Sequence, residues 1–390
     1  MIFLGLASNF SAKDLIFHSF CLGTKKDYRA LELELSRRYS APLDRLSLIY
    51  SGRSALSLAL KSLISSKKVH KGDHVAINSF SCFAVVQAVK SAGLIPIFLD
   101  LEKLPSGEIR PDYSPDALKR ARESDSKLKV FIIQNSFGFP VDIRPFEKLK
   151  QSENLYLIED LAHCAGRVYP DGREIGTVGD AACLSFGKGK AIDTTTGGAV
   201  ILRNPDLTFP SSFKKSALVR RRKTGDVPRA SWYPLFGATA RGLSHLRLEK
   251  IFLGLLLKLK WIERSADTKL DESTTITYWQ AKSALRQLSR LKKPIKSPLR
   301  EYFLVDDREA CLAELKTHGL RLEEVWYDVP IAPARYFNQI NFPKDACPNA
   351  VFFADHVVNL PTWYHDKHHL AELKLAKKII KHHALTPEKQ

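Results

Sequence analysis

LIEDLAHCAGRVYPDGREIGTVGDAACLSFGKGKAIDTTTGGAV (157–200) decides how the rest of the chain is read. It opens with an apolar run that ends in two carboxylates, Glu159 and Asp160. A Ser-Phe-Gly-Lys-Gly-Lys turn then presents Ser185, Lys188 and Lys190, and a small, flexible Thr-Thr-Thr-Gly-Gly run follows. An acid at the carboxyl end of a strand, with a lysine returned beside it by the next segment, suits a cofactor with a basic ring nitrogen and an aldehyde. Pyridoxal 5'-phosphate has both. It requires a carboxylate on its ring nitrogen, a lysine to hold its aldehyde and a cup for its phosphate.

Outward from this stretch, apolar runs alternate with helical patterns. Upstream, LSLIY leads through a Ser51-Gly52 turn into a helix from about Arg53, and HVAIN leads into FAVVQAVKSAG. IPIFLD precedes PDALKRARE, and KVFIIQN precedes PFEKLKQS. Strands alternating with amphipathic helices predict an α/β fold, a three-layer, mostly parallel, doubly wound sheet. Ligands of such sheets sit beyond the carboxyl ends of the strands, where Ser51-Gly52, Asn135 and Asp160 fall. After the sheet come a basic run, VRRRK (219–223), and LRLEKIFLGLLLKLKWIER (246–264). Then follow a helix in YWQAKSALRQLSRLKK, a strand in EYFLVDD, a helix in REACLAELKTHG and a basic final helix. Three regions are expected. Residues 1–215 form a large cofactor-binding α/β domain, 216–271 a basic and apolar helical insertion or connector, and 272–390 a small C-terminal α+β domain.

The totals agree with two domains: 390 residues exceed what one core serves. The formal charge of +18 permits an anionic partner without choosing one. Because that charge is scattered and no binding motif stands in it, nucleic acid is not expected. Six irregularly spaced cysteines, with no CxxC pair, speak for reduced cytoplasmic thiols and against zinc. The N-terminal MIFLGLASNF has no basic residues before its apolar stretch, and reads as a strand or arm of the folded body.

Each candidate has a plain structural alternative. Asp160 could cap a helix, and Lys190 or Lys188 could be solvated; spacing alone does not separate the two lysines. Gly52, Arg53 and Ser54 open a helix after a strand, so their N–H groups could hold a phosphate together with Ser185. His163, one helical turn past Asp160, could face the ring hydroxyl or be a buried structural histidine. Histidines 365, 368, 369, 382 and 383 read as solvated surface, and no metal site is expected. The apolar core at 251–257 is far shorter than the roughly 18–20 residues a membrane span needs. The segment 245–263 therefore reads as a helix packed on the body or a second subunit, or as a peripheral membrane contact.

Together these residues resemble the DegT/DnrJ/EryC1/StrS family of fold-type I, pyridoxal phosphate-dependent sugar aminotransferases. The likeness runs through YSGRSALSLALKSL, FIIQNSFGFPVDI, the 157–200 stretch, QAKSALRQLSRL and CPNAVFFADHVVNLPTWY. It implies an aspartate aminotransferase-like large domain and a small C-terminal domain. It selects Lys190 over Lys188, five residues past Ser185. It places Asp160 on the ring nitrogen, His163 near the ring hydroxyl, and Gly52, Arg53, Ser54 and Ser185 on the phosphate. Ser81-Cys82, with Phe80 and Phe83 on either side, stands where the family carries its ring-covering aromatic, and which side chain covers the ring stays open. Arg53 replaces the usual Thr, Thr196 the acid before the Gly-Gly pair, and Ser273 the partner-subunit phosphate ligand. The implied activity is transfer of an amino group, from glutamate, to a nucleotide-linked keto-sugar, by a cytoplasmic homodimer. The implied setting is polysaccharide, glycoconjugate or secondary-metabolite biosynthesis. A sugar dehydratase of the same family, or a non-catalytic or membrane-docked relative, is the alternative.

Overall fold

Seven apolar runs assemble into one sheet: β1 (Leu46–Ile49), β2 (His74–Asn78), β3 (Ile95–Leu99), β4 (Leu128–Ile133), β5 (Tyr156–Asp160), β6 (Ala181–Ser185) and β7 (Gly198–Leu202). The computed structural model describes residues 2–4, 17, 22–215, 219–220, 232, 235–240, 242–243, 248–259, 261, 270–291, 295, 297–322, 326–362 and 368–385. The strand order is β1-β7-β6-β5-β4-β2-β3. β7 is antiparallel to both neighbours, and every other pairing is parallel. Because side chains alternate along a strand, each strand feeds two cores. Phe131 and Ile133 of β4 face one side, and Val130 and Ile132 face the other.

On the first side lie α1 (Lys25–Arg38), α4 (Pro115–Ser124), α5 (Ile143–Ser152) and α7 (Tyr278–Arg290), through Leu31, Leu118, Phe146 and Ala281. On the second lie α2 (Gly52–Ser65) and α3 (Phe83–Ser91), through Leu56, Leu60, Val85 and Val89. The result is the expected three-layer α/β architecture. α7 falls within the 272–390 region, yet Ala281, Ala284 and Leu288 belong to the core of the large sheet.

The C-terminal part has its own core. β8 (Arg300–Leu304) pairs antiparallel with β9 (Val357–Pro361). α8 (Arg308–Thr317) and α10 (His368–His382) pack on them through Cys311, Leu315, Ile379 and Ile380. Between them in sequence lies α9 (Pro348–His356). Ile2–Leu4 runs parallel to Leu320–Leu322, so the first residues do form a strand on the folded body. Ser81–Cys82 runs parallel to Ile331–Ala332, tying this part to the large sheet beside β2. His383 Nε2 pairs with Glu314 at 2.7 Å.

The connector holds α6 (Glu249–Lys258). Most of VRRRK, much of the 216–271 region around α6, His365 and residues 292–294 lie outside the described residues. Among those described, no helix is long and apolar enough to cross a membrane.

Candidate active site

Asp160 is the last residue of β5, and Ser185 the last of β6, its hydrogen-bonded neighbour. The loop leaving β6 folds back across these strand ends and delivers Lys190 to Asp160. Both residues are half-buried. Burial raises the Asp160 carboxyl, while the Ala162 N–H (3.0 Å from Oδ1) and the charge of Lys190 pull it back. Burial lowers the Lys190 ammonium, opposed by Cys82 and Asp160 and assisted by Arg300. Each group therefore sits in the other's field. Lys188 is felt by Asp193 further along the loop.

His163 is fixed from both sides. Its Nδ1 accepts from the Phe137 N–H at 3.1 Å, so the ring proton resides on Nε2, 3.1 Å from the Tyr327 hydroxyl. Burial, then the charges of Lys190, Arg300 and Arg167, drive its pKa well below the usual value. The ring is neutral. Its neighbours are held in costly backbone conformations: Asn135, Phe137 and Tyr327 take φ of 51°, 56° and 64°, and Thr195 of the lysine loop takes 69°. Four of the seven non-glycine residues with positive φ among those described thus surround one cleft, where strain is retained because the surroundings impose it.

Trp326 covers the cleft from the C-terminal part. Its indole centroid lies 4.6 Å from Lys190 Nζ, 4.5 Å from the Arg300 guanidinium and 5.2 Å from the His163 ring. Asn359 holds this group in place, donating to the Trp326 carbonyl at 3.1 Å and accepting from Arg300 Nε.

At the other end, Ser51 caps α2, its Oγ accepting from the Ser54 N–H at 3.1 Å and lying 2.9 Å from Ser54 Oγ. The Asp271 N–H donates to Ser54 Oγ at 3.0 Å. Gly52 abuts Ser185 so closely that a Cβ there would lie 2.6 Å from Ser185 Cβ. A helix N-terminus, two small residues and a serine therefore converge as an anion cradle. Arg53 is buried in the same first turn.

Two glutamines of α7 hold the lysine loop. Gln287 exchanges hydrogen bonds with the Asp193 backbone at 2.8 and 2.7 Å, and Gln280 donates to the Thr196 carbonyl at 2.8 Å. The Asp193 carboxylate accepts from the Gly189 and Thr195 N–H groups at 2.8 and 3.0 Å, and burial pushes its pKa up to about 6.

The structure thus brings Cys82, Asp160, His163 and Lys190 together, with Gly52, Ser54 and Ser185 forming the neighbouring cradle. Phe83 stacks on Tyr336 instead, centroids 4.8 Å apart. Trp326, Tyr327, Arg300, Asp193 and the two glutamines are not foreseen in the sequence. The donor set suits a flat heterocycle with a basic nitrogen at one end and a phosphate at the other.

Comparison with known proteins follows the same lines. A GDP-perosamine synthase of Escherichia coli O157:H7 is 30% identical over 159 residues, 41% of this chain and 40% of that protein. A GDP-perosamine synthase of Caulobacter vibrioides is 26% identical over 244 residues, 63% of this chain and 58% of that one. The chain thus spans from two fifths to under two thirds of these relatives' length. Spr1654 from Streptococcus pneumoniae, a sugar aminotransferase by assignment, superposes in its PLP form with a TM-score of 0.64 at 18% identity, over 97% of this chain and 98% of that one. Helicobacter pylori PseC, an aminotransferase of pseudoaminic acid biosynthesis, gives 0.64 at 16% identity, over 97% and 99%. At these identities the structural likeness establishes the fold. A model of the DegT/DnrJ/EryC1/StrS aminotransferase family matches residues 47–227, the segment holding Gly52, Asp160, His163, Ser185 and Lys190.

Proposed function

We propose that the chain is a pyridoxal phosphate-dependent aminotransferase that passes an amino group, from glutamate, to a keto-sugar carried on a nucleotide, as a homodimer. The observation that carries this reading is the Asp160–Lys190 pair at the carboxyl ends of β5 and β6. Bound there, the cofactor supplies an aldehyde that captures amines and a protonated ring that stabilises negative charge at the neighbouring carbon. Asp160 would hold the ring nitrogen, and neutral His163 would present a fixed N–H. Ser185 and the first turn of α2, residues Gly52, Arg53 and Ser54, would hold the phosphate. Lys190 Nζ would take and return a proton, a task suited to an amine whose charged form burial disfavours. Arg300, stacked on Trp326, adds a fixed cation suited to an anionic substrate.

The nucleotide-sugar substrate is supported by the names of the relatives: beside the perosamine synthases stands a UDP-N-acetyl-3-dehydro-alpha-D-glucosamine 3-aminotransferase from Acidithiobacillus ferrooxidans, 28% identical. Cys82, Cys164, Cys183, Cys311 and Cys347 are free thiols, which suits a cytoplasmic enzyme. Purified protein should be yellow with the cofactor, lose that colour with glutamate, and retain a borohydride-fixed adduct on Lys190. A Lys190→Ala variant as yellow as the parent, or a parent that glutamate leaves unchanged, would overturn the reading.

A further inference from the structure

α6 is anchored along one face and bare along the other. Leu248, Ile251, Leu255 and Leu259 recur every three or four residues, so they share one side of the helix. They are 43, 71, 53 and 49% exposed. On the adjoining side, Phe252 and buried Leu256 turn inward. There Phe236 gathers Phe252, Trp232 and Trp261 with ring centroids 6.4, 6.4 and 5.8 Å away. Trp232 and Trp261 remain 40 and 38% exposed at the rim, beside Leu235. Of twelve exposed large apolar side chains among the described residues, seven fall between 232 and 261. That concentration marks an interaction surface rather than ordinary scatter.

Charge decides what covers it. Lys258 is exposed at the end of the helix, lysines 250 and 260 flank it in sequence, and the chain carries a formal +18. A second copy would set one cationic rim against another, whereas an anionic bilayer supplies the missing sign and accommodates tryptophans at its interface. We propose that α6 docks the protein on an anionic lipid surface, with the Leu248–Ile251–Leu255–Leu259 stripe entering the headgroup boundary and Lys258 resting on lipid phosphates. This reading is independent of the enzymatic one.

Vesicle flotation of the full chain tests it. The protein should float with phosphatidylcholine vesicles containing about a third phosphatidylglycerol and stay behind with phosphatidylcholine alone. High salt should release it. The double variant Ile251→Glu, Leu255→Glu should lose flotation while keeping the parent's circular dichroism and melting temperature, and Lys258→Gln should weaken binding about fivefold. Equal behaviour on both lipids, or no flotation on either, overturns the proposal. So does a double variant that floats like the parent but turns a lipid-free dimer into a monomer by light scattering, since the stripe is then a contact between copies.

Discussion

Glu159 and Asp160 are chain neighbours on β5 whose side chains leave opposite faces of the sheet, and the two carboxylates are held to different ends. Glu159, fully buried, accepts from the Tyr169 hydroxyl and from the N–H groups of Gly176, Val178 and Gly179. It pins the long loop between β5 and β6. Asp160, at the cleft, accepts from the Ala162 N–H and is left facing Lys190. The paired acids of the sequence thus divide into one that shapes the loop and one that faces Lys190.

Exchanging each acid for its amide should separate the two roles. Glu159→Gln turns an amide donor toward groups that already donate, and should cost about 2–5 kcal/mol in urea denaturation. Asp160→Asn should stay within about 1 kcal/mol of the parent in stability and lose about a hundredfold or more in kcat. The reverse assignment of losses would refute the division.

His163 gives the fold a pH dependence of known sign. Unfolded, the ring takes a proton near about pH 6.5; folded, burial and three nearby cations hold its pKa well below that. Below about pH 6.5 the unfolded state binds the extra proton, so stability should fall as pH drops, by up to about 1.4 kcal/mol per pH unit. Above that pH the contribution is constant. Asp193, whose pKa is pushed up to about 6, contributes a slope of the opposite sign, so the quantity to follow is the difference between parent and His163→Asn. That difference should shrink between about pH 7 and 5; a constant difference would mean a solvated ring.

β1 to β5 were legible because they are short, nearly continuous apolar runs bounded by turns; β6 and β7 flank the lysine turn, a stretch read for its chemistry, and were not read as strands. Asp160 was legible because it ends a strand; the glycine-rich turn offered both Lys188 and Lys190, and only the family resemblance chose between them. Trp326, Arg300 and Asn359 were not legible, since they reach Lys190 through the pairing of β8 with β9 and through the Ser81–Cys82 link, more than a hundred residues from the motif. α7 shows a different limit. Its pattern reveals an amphipathic helix but not which core it joins, and Gln280 and Gln287 on its buried side look like polar interruptions until the lysine loop is seen bonded to them. Phe83 differs from its expected place for a local reason: α3 begins at that residue, and its ring packs on Tyr336.

The same loop predicts a positioning effect far from the reacting atoms. Gln287→Ala would strip partners from the buried N–H and carbonyl of Asp193, at about 1–3 kcal/mol each. Amide exchange across 189–195 should quicken and kcat should fall, with KM changed less. Gln287→Glu keeps an acceptor for the N–H but sets a second carboxylate beside Asp193, whose pKa should rise further. Unchanged exchange in both variants would show that the loop holds itself.

The anion cradle makes the last prediction, through a residue with no side chain. A methyl group at position 52 would sit 2.6 Å from Ser185 Cβ, 2.9 Å from its Oγ and 3.1 Å from its Cα. These atoms belong to the end of a buried strand and cannot swing aside, so α2 and β6 must separate. Overpacking of this kind costs about 1–3 kcal/mol, and it opens the two sides that would grip a phosphate. Gly52→Ala should therefore weaken pyridoxal phosphate about 10- to 100-fold, the same range expressed as affinity, and weaken unphosphorylated pyridoxal far less. Gly254→Ala is the control: nothing lies within 4 Å of the added carbon, the residue is within α6, and the change should add about 1 kcal/mol of helix stability and leave both ligands alone. If Gly52→Ala weakens the two ligands equally, the damage is general and the phosphate is held elsewhere.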